Sequence, residues 1–168
     1  MAIRAEDAVE AARTLVGTPY REMDCINLIK RVIRTAAGGV IGYTTAGTNS
    51  LWKSYEMAAK YKDLTLRREG IVGARAGMLA FKRRGSDVHH VGLVTGEGTV
   101  IHASSAYGET VETPLDAADG WNLLAVHRYI EVEEEAAAPS RVQVTIVDSD
   151  GNVFCPVGDF RVLLGSAD

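Results

Sequence analysis

The sequence predicts an α+β domain in which N-terminal helices pack on a small antiparallel sheet, followed by a short β-rich C-terminal tail. Two apolar runs with helical spacing come first, and short alternating segments separated by glycine-containing turns follow from residue 77 onwards. The chain has 168 residues, of which 46% are hydrophobic. That is enough for one globular domain with a sizeable core.

Two helices are predicted at the N-terminus. The first covers residues 5–16, where apolar residues recur with a helical period until Gly17. The second begins at Cys25 and ends before Gly38-Gly39. Asp24 is a suitable N-cap, because its carboxylate can accept hydrogen bonds from backbone N–H groups of the first turn. Cys25 is therefore expected on that turn, where the helix dipole and free N–H groups stabilise a thiolate.

The remaining elements are shorter. A helix capped by Asn49 or Ser50 is predicted to run to about Tyr61, and residues 64–76 are predicted to be irregular because they have no clean period. Strands are predicted over residues 77–81, 88–95, 99–104, 109–113 and 123–132.

The two middle strands of this predicted sheet each carry a histidine that faces the other. If Thr95 pairs with Thr99 across the turn Gly96-Glu97-Gly98, His90 and His102 become diagonal neighbours on one face. A shift of one residue would separate them, so the prediction depends on the assumed turn.

The other two histidines are given structural interpretations. Successive strand residues point to opposite faces, so His89 is expected to point to solvent or to the opposite layer. His127 is interpreted as a half-buried structural histidine. Gly92, on the same face as His90, is expected to leave room near the thiol or the substrate.

A cysteine at a helix start, followed along the chain by two strand histidines, is typical of a thiol hydrolase. One histidine can remove the thiol proton and the second can orient the first, as in other nucleophile–base–orienter sets. The backbone N–H of Cys25 is a candidate donor to an oxyanion.

These residues resemble the NlpC/P60 family of cell-wall cysteine peptidases. The resemblance runs from about the N-terminus to Ile130 and depends on four segments: Gly17-Thr18-Pro19-Tyr20, Met23-Asp24-Cys25, His89-His90-Val91-Gly92-Leu93-Val94-Thr95-Gly96 and Val100-Ile101-His102-Ala103-Ser104. It implies a circularly permuted, papain-like fold. It also implies hydrolysis of peptide bonds in peptidoglycan stem peptides, commonly the bond between D-glutamate and the diamino acid.

The resemblance implies roles for individual residues. Cys25 would be the nucleophile, His90 the general base and His102 the orienting group. The family usually has Ser-Gly directly after the cysteine, where this chain has Ile26 and Asn27. The residues expected to contact the substrate or the oxyanion are Tyr20, Asp24, Ile26 and Asn27.

Composition excludes several other classes of protein. The net charge of −4 gives no reason to expect a nucleic-acid partner. The basic groups Arg67-Arg68 and Lys82-Arg83-Arg84 are interpreted as solvated loop charge, with attraction to acidic wall polymers as the alternative. Only two cysteines, Cys25 and Cys155, are present, so no disulfide framework is expected, and Cys155 is interpreted as a small buried hydrophobe. The spacing of histidines and cysteines predicts no metal site, and no cofactor is expected.

The N-terminal sequence has no secretory signal and the chain has no apolar run long enough to span a membrane. We therefore expect action outside the cell or in the wall after export by another route, lysis, or delivery by a phage tail or conjugation apparatus, with a leader that this sequence does not include as the remaining alternative.

The predicted organisation is a catalytic domain over residues 1–132, a charged and Ala/Pro-rich linker over residues 133–140, and a β-rich tail over residues 141–168. Asp150-Gly151 predicts a hairpin in the tail, which is either part of an SH3-like wall-binding module or an addition to the catalytic sheet.

Other functions are compatible with the same residues. An N-acetylmuramoyl-L-alanine amidase or a papain-like acyltransferase could use this cysteine and these histidines. A non-catalytic wall-binding or phage-tail component is the alternative outside the enzymes.

Overall fold

A computed structural model describes residues 2–133 and, beyond them, the two short strands Ile146–Val147 and Val153–Phe154. The chain divides into two compact units, Met1–Glu133 and Glu134–Asp168. The predicted linker and most of the predicted tail, including Cys155, lie outside the described residues. The three domain limits remain predictions.

The first unit contains helices and strands in mixed order. The α-helices are α1 (Ala5–Arg13), α2 (Cys25–Ala36) and α3 (Thr48–Lys53). The strands are β1 (Ile3–Arg4), β2 (Leu64–Glu69), β3 (Leu79–Arg84), β4 (Asp87–Val94), β5 (Thr99–Ser104), β6 (Glu109–Pro114), β7 (Trp121–His127) and β8 (Ile130–Glu131). Short 3₁₀ turns occur at Ser54–Glu56, Ala59–Tyr61 and Ala117–Asp119.

Six of these strands form one antiparallel sheet with the order β2-β7-β3-β4-β5-β6. Strand β1 pairs in parallel with β8 as a separate two-stranded unit. Helices beside a small antiparallel sheet make an α+β domain. The predicted fold class is confirmed.

The helices pack against one face of the sheet, which we call the helix-side face. Its buried residues include Phe81, Val91, Leu93 and Ile101, and they share a core with the apolar stripe of α2. The opposite face has a smaller core that includes Val94, Val100, Trp121 and Leu124. Because strand residues alternate between faces, His90 and His102 lie on this second face, next to Trp121.

Helix α2 forms where the sequence predicts it. Leu28, Ile29, Val32 and Ile33 recur at helical spacing and all four are fully buried. Burying a Leu, Ile or Val side chain stabilises a fold by about 1.5–3 kcal/mol, so this stripe fixes the helix firmly on the sheet. Its first residue, Cys25, is consequently held at a fixed position.

The structure corrects three predicted elements. Residues 64–69 form strand β2 at the sheet edge, although the sequence predicted irregular structure there. The predicted helix up to Tyr61 ends at Lys53 and continues as two separate 3₁₀ turns. The predicted last strand is broken into β7 and β8 between His127 and Ile130.

The basic group Lys82-Arg83-Arg84 is also placed differently from the prediction. It lies in strand β3 rather than in a loop. Arg83 forms a bidentate pair with Glu69 at 2.9 Å and 2.7 Å, across the intervening strand β7. Charged side chains near a strand end are compatible with a sheet when a neighbouring strand supplies the opposite charge.

Within the second unit, Val153 and Phe154 pair antiparallel with Val147 and Ile146. These strands flank Asp150-Gly151, where the sequence predicts a hairpin. No helix in the described part of the chain is long and apolar enough to cross a membrane.

Candidate active site

Cys25 is the first residue of α2, as predicted. The backbone N–H of Asn27 donates to Oδ1 of Asp24 at 2.9 Å, so Asp24 is the N-cap of the helix. Cys25 is a free cysteine and is 8% exposed. The cap fixes the direction in which the first turn presents its backbone N–H groups, and therefore their position around the sulfur.

Two effects of opposite sign act on the thiol. Burial raises the pKa of Cys25, while hydrogen bonding by the backbone N–H groups of Val91, Ile26 and Cys25 itself lowers it; the carboxylate of Asp24 raises it further. Burial is the largest effect, so the pKa lies above its ordinary value. The sequence predicted a stabilised thiolate, but the cysteine of the free protein is a neutral thiol at pH 7.

The contact with Val91 brings the thiol to the histidine strand, since Val91 follows His90 in β4. The paired register of β4 and β5 ends at Leu93–Ile101. The N–H groups of alternate strand residues point to the same side, so the N–H of Val91 points to the same side as that of Leu93, towards β5. At Val91, however, β5 is no longer paired with β4. This N–H is therefore available to the first turn of α2, and it lowers the pKa of the Cys25 thiol.

His90 and His102 are in direct contact. Nε2 of His90 lies 2.8 Å from Nδ1 of His102, and the rings meet edge to face with centroids 5.0 Å apart. Nε2 of His102 lies 3.2 Å from Oγ1 of Thr113 on β6. The partners Leu93–Ile101 and Val94–Val100 have the register that the sequence predicted, so the predicted neighbourhood of the two histidines is confirmed.

This hydrogen-bond chain allows a tautomer suited to base catalysis. If Nε2–H of His90 donates to Nδ1 of His102, then Nε2–H of His102 can donate to Thr113. Nδ1 of His90 then keeps a free lone pair. Among the hydrogen bonds of residues 2–133, none joins Sγ of Cys25 to either ring. Catalytic hydrogen bonds often tighten only in the complex with substrate.

Both rings are neutral at pH 7. The pKa of His90 is lowered to about 3, chiefly by burial and then by the charges of His102, Lys82 and His89. The pKa of His102 is lowered to about 4 by burial and by Lys82, against an opposing effect of Asp119. A histidine that is neutral at pH 7 can accept a proton, as a general base must.

Sequence reasoning missed two residues beside the histidines. The ring of Trp121 on β7 lies 5.4 Å from that of His90 and 5.2 Å from that of His102, measured between centroids. Nζ of Lys82 lies 4.6 Å from the centroid of the same tryptophan ring. Lys82 pairs with His90 across β3 and β4 and with Trp121 across β3 and β7. The predicted strand 77–81 ends one residue before Lys82, and extending it through Lys82 would have let strand parity place this side chain on the face of His90.

His89 is exposed, in agreement with the sequence, but a bulge rather than simple alternation is the cause. Lys82 pairs with His90 and Arg83 pairs with Val88, which leaves His89 as the extra residue. His127 is fully buried, so its predicted half-burial is wrong. It lies among Tyr43 and Tyr129, away from the site.

Gly92 has a different role from the predicted one. A Cβ at this position would lie 2.6 Å from Cγ2 of Val100, 2.9 Å from the carbonyl oxygen of Ile101 and 3.0 Å from Cβ of His102. The glycine makes room for strand β5 rather than for the thiol or the substrate. This close approach lets His102 reach His90.

The other candidate residues surround the first turn of α2. The backbone N–H of Tyr20 donates to the carbonyl oxygen of Gly108 at 2.8 Å, which anchors the segment before the helix. Burial and the charges of Cys25 and Asp24 raise the pKa of Tyr20, so its hydroxyl lies within electrostatic range of the thiol.

The two residues after the cysteine differ in exposure. The side chain of Ile26 is 7% exposed and packs in the helix-side core. Its contribution near the thiol is therefore its backbone N–H. Asn27 is exposed, and its Oδ1 accepts from Nζ of Lys30 at 3.2 Å.

No protein-family model and no curated protein sequence matches the chain. Solved structures do. The peptidoglycan hydrolase RipB from Mycobacterium tuberculosis matches with a TM-score of 0.51 and 23% identity, over 76% of this chain and 67% of that one. NlpC1 from Trichomonas vaginalis matches with a TM-score of 0.54 and 18% identity, over 77% of this chain and 45% of that one. An NlpC/P60 family protein from Bacillus cereus ATCC 10987 matches with a TM-score of 0.53 and 19% identity, over 76% and 40% respectively.

These likenesses define the class of fold. The chain has the papain-like NlpC/P60 fold, and the resemblance seen in the sequence is confirmed at that level. The chain spans less than half the length of NlpC1 and of the Bacillus cereus protein.

Proposed function

We propose that this chain is a cysteine peptidase that hydrolyses peptide bonds in the stem peptides of bacterial peptidoglycan. One observation carries the proposal. His90, whose Nε2 lies 2.8 Å from Nδ1 of His102, is on the strand whose next residue, Val91, has its backbone N–H close enough to Cys25 at the start of α2 to lower the pKa of the thiol. The fold shared with RipB, which is described as a peptidoglycan hydrolase, supports the choice of substrate.

In the proposed mechanism, Nδ1 of His90 accepts the proton of Cys25 as the sulfur attacks the carbonyl carbon of the scissile amide. Because thiol and imidazole both start neutral, the proton moves during the attack. The resulting imidazolium is stabilised by its hydrogen bond to His102, which Thr113 orients in turn. His90 then protonates the leaving amine, and water attacks the acyl-enzyme with His90 again as base.

The oxyanion of the tetrahedral intermediate needs preorganised donors. The backbone N–H groups of Cys25 and Ile26 lie at the N-terminus of α2, where no carbonyl of the helix can bind them. Removing one such donor from a hydrolase typically costs about 10²–10³-fold in kcat. We assign this role to the backbone of the first turn and a supporting one to the Tyr20 hydroxyl.

The test is mass spectrometry of muropeptides after purified peptidoglycan is incubated with the protein. We expect new products cut within the stem peptide, and we expect Cys25→Ala to remove nearly all of that activity. Cys155→Ala is the matched control, because it removes the other cysteine and should leave the products unchanged.

The same spectra separate the alternatives. Release of whole stem peptides from the sugar would identify an amidase, and transfer of the acyl group to an added amine would identify an acyltransferase. Products that persist in Cys25→Ala would refute the cysteine mechanism. No products from any wall type would leave a binding or structural component as the better explanation.

The proposal also covers where the protein acts, which residues are needed for each role and how the protein is delivered. A peptidoglycan substrate implies action outside the cell or in the wall. We propose that residues 1–132 suffice for catalysis and that residues 141–168 contribute to attachment to the wall. Delivery by a phage tail or conjugation apparatus, or release by lysis, remains the expectation from the sequence.

A further inference from the structure

Lys82 occupies a distinctive place beside the histidine pair. It is half-buried in the middle of the sheet, directly between His90 on β4 and Trp121 on β7. Its ammonium lies over the indole ring, with Nζ 4.6 Å from the centroid. The loop that ends at Gly120 packs against its stem, since a Cβ on that glycine would lie 3.8 Å from Cδ of Lys82. The side chain thus has a neighbour at its stem and another at its ammonium.

Among the described residues, this ammonium has no carboxylate partner. Within residues 2–133, no Asp or Glu oxygen lies within ion-pair distance of Nζ of Lys82. Several arginines in the same range, by contrast, pair with a carboxylate at 2.7–3.6 Å. Asp119 lies close enough to His102 to act on its charge, but it does not pair with the lysine. A half-buried cation held on an aromatic ring without a counter-ion is a suitable partner for an anionic group on a ligand.

We propose that Lys82 is a specificity-determining residue that binds a carboxylate of the substrate next to the scissile amide. The proposal deepens the peptidase function and rests on it for the reaction. It assigns to the site a preference for acidic peptides over their neutral amides. A single carboxylate fits better than a polyanion, because Lys82 is one cation and Asp119 offsets part of the local positive potential.

The position of Lys82 explains how binding of the substrate carboxylate would affect catalysis at His90. Lys82 and His90 are direct cross-strand partners, so their Cβ atoms are about 4.5–5.5 Å apart. A carboxylate bound by the ammonium would therefore place the neighbouring amide over the ring of His90. Trp121 contacts both rings and the ammonium, so it fixes the base and the binding group relative to each other.

The experiment uses two synthetic stem peptides that differ only in a carboxylate or a carboxamide beside the scissile bond. We expect the 168-residue chain to prefer the carboxylate by about tenfold or more in kcat/KM, as a charged hydrogen bond typically provides. Lys82→Met keeps the apolar stem on Trp121 and should reduce this ratio to near one. Lys82→Arg should preserve most of it.

Lys62→Met is the matched control. Lys62 is also half-buried with its Nζ over an aromatic ring, at 4.3 Å from the centroid of Tyr55, but it lies near the other end of the sheet. This variant should keep the carboxylate preference of the parent protein. A ratio that falls equally in both lysine variants would show a general effect of net charge and would overturn the proposal.

A binding measurement separates this proposal from the peptidase function. Calorimetry on Cys25→Ala, with and without Lys82→Met, gives the Kd of both peptides without turnover. If the carboxylate preference in Kd disappears with Lys82→Met while the parent protein, with Cys25 intact, cleaves neither peptide, Lys82 is a carboxylate site and the peptidase function is wrong. If both ratios are the same with and without Lys82, or if neither peptide binds, the role assigned to Lys82 is wrong.

Discussion

Replacing Gly92 with alanine tests whether close strand packing holds the two histidines together. The new Cβ would lie 2.6 Å from Cγ2 of Val100 and 3.0 Å from Cβ of His102, whereas ordinary contact begins at 3.4 Å. Strand β5 must therefore move by a few tenths of an ångström or more. Overpacking of this kind costs about 1–3 kcal/mol in the free energy of unfolding. For a chain of this size that corresponds to a fall in Tm of about 2–12 °C.

The same movement would disturb the contact between His90 and His102. Their nitrogens are 2.8 Å apart, and a displacement of His102 by about 0.4 Å in the wrong direction leaves the preferred range of hydrogen-bond distances. We therefore expect Gly92→Ala to lose peptidase activity beyond what unfolding explains, at a temperature where the protein is folded.

Thermal unfolding followed by circular dichroism, together with initial rates on a stem peptide at 20 °C, would measure both effects. Gly42→Ala is the control, because a Cβ at Gly42 meets no atom within 4 Å and the backbone there does not need a positive φ. A Gly92→Ala protein as stable and as active as Gly42→Ala would refute the packing argument.

Two further predictions concern the histidines. His90→Ala should lower kcat by about 10²–10⁴-fold, the usual contribution of a general base, and His102→Ala should lower it less because it acts through His90. His89→Ala should keep most activity, since its side chain is exposed. An inactive His89→Ala together with an active His90→Ala would contradict the strand faces assigned to the two histidines. For His127, burial lowers the pKa to about 3, so the unfolded chain binds more protons below about pH 6.5 and stability falls as the pH falls. Between pH 7 and pH 5 the loss should be about 2 kcal/mol. Urea unfolding at both pH values should show a smaller difference in His127→Phe, and an equal difference would contradict this account.

Local patterns were sufficient for the parts of the site that depend on one helix or one hairpin. Asp24 and the apolar stripe after Cys25 fix the start of α2, and Asp24 caps it as expected. The three-residue turn after Thr95 sets the register of β4 and β5, which brings His90 to His102. Both features are determined within about fifteen residues of chain, where turn chemistry and periodicity are strongest.

Strand β2 could not be predicted in this way because its side chains do not alternate in polarity. Arg67 lies over the rings of Trp52 and Tyr55, and Arg68 donates to the carbonyl oxygen of Gly73. The guanidinium of Arg67 thus packs on aromatic rings, a contact that apolar side chains make in other strands. A bulge between Leu64 and Leu66 breaks the period further.

The protonation state of Cys25 could not be predicted from the neighbouring residues in the sequence either. A helix start favours a thiolate, and the sequence shows this effect alone. Burial depends on what covers the first turn, and the helix-side core that covers it is built from distant strands. In the folded chain burial outweighs the three N–H groups, so the thiol is neutral.

A row of residues across the sheet places the proposed carboxylate site beside the proposed catalytic histidines. His102, His90, Lys82 and Trp121 come from β5, β4, β3 and β7, which are consecutive in the sheet although β7 follows β6 in the chain. Each member touches or pairs with the next, and Trp121 also contacts both histidines. A shift of one residue in the register between any two of these strands would move His90, the ammonium or the ring to the opposite face. The return of β7 to the position beside β3 therefore places the candidate carboxylate site next to His90, the proposed general base, and both depend on the same strand pairing.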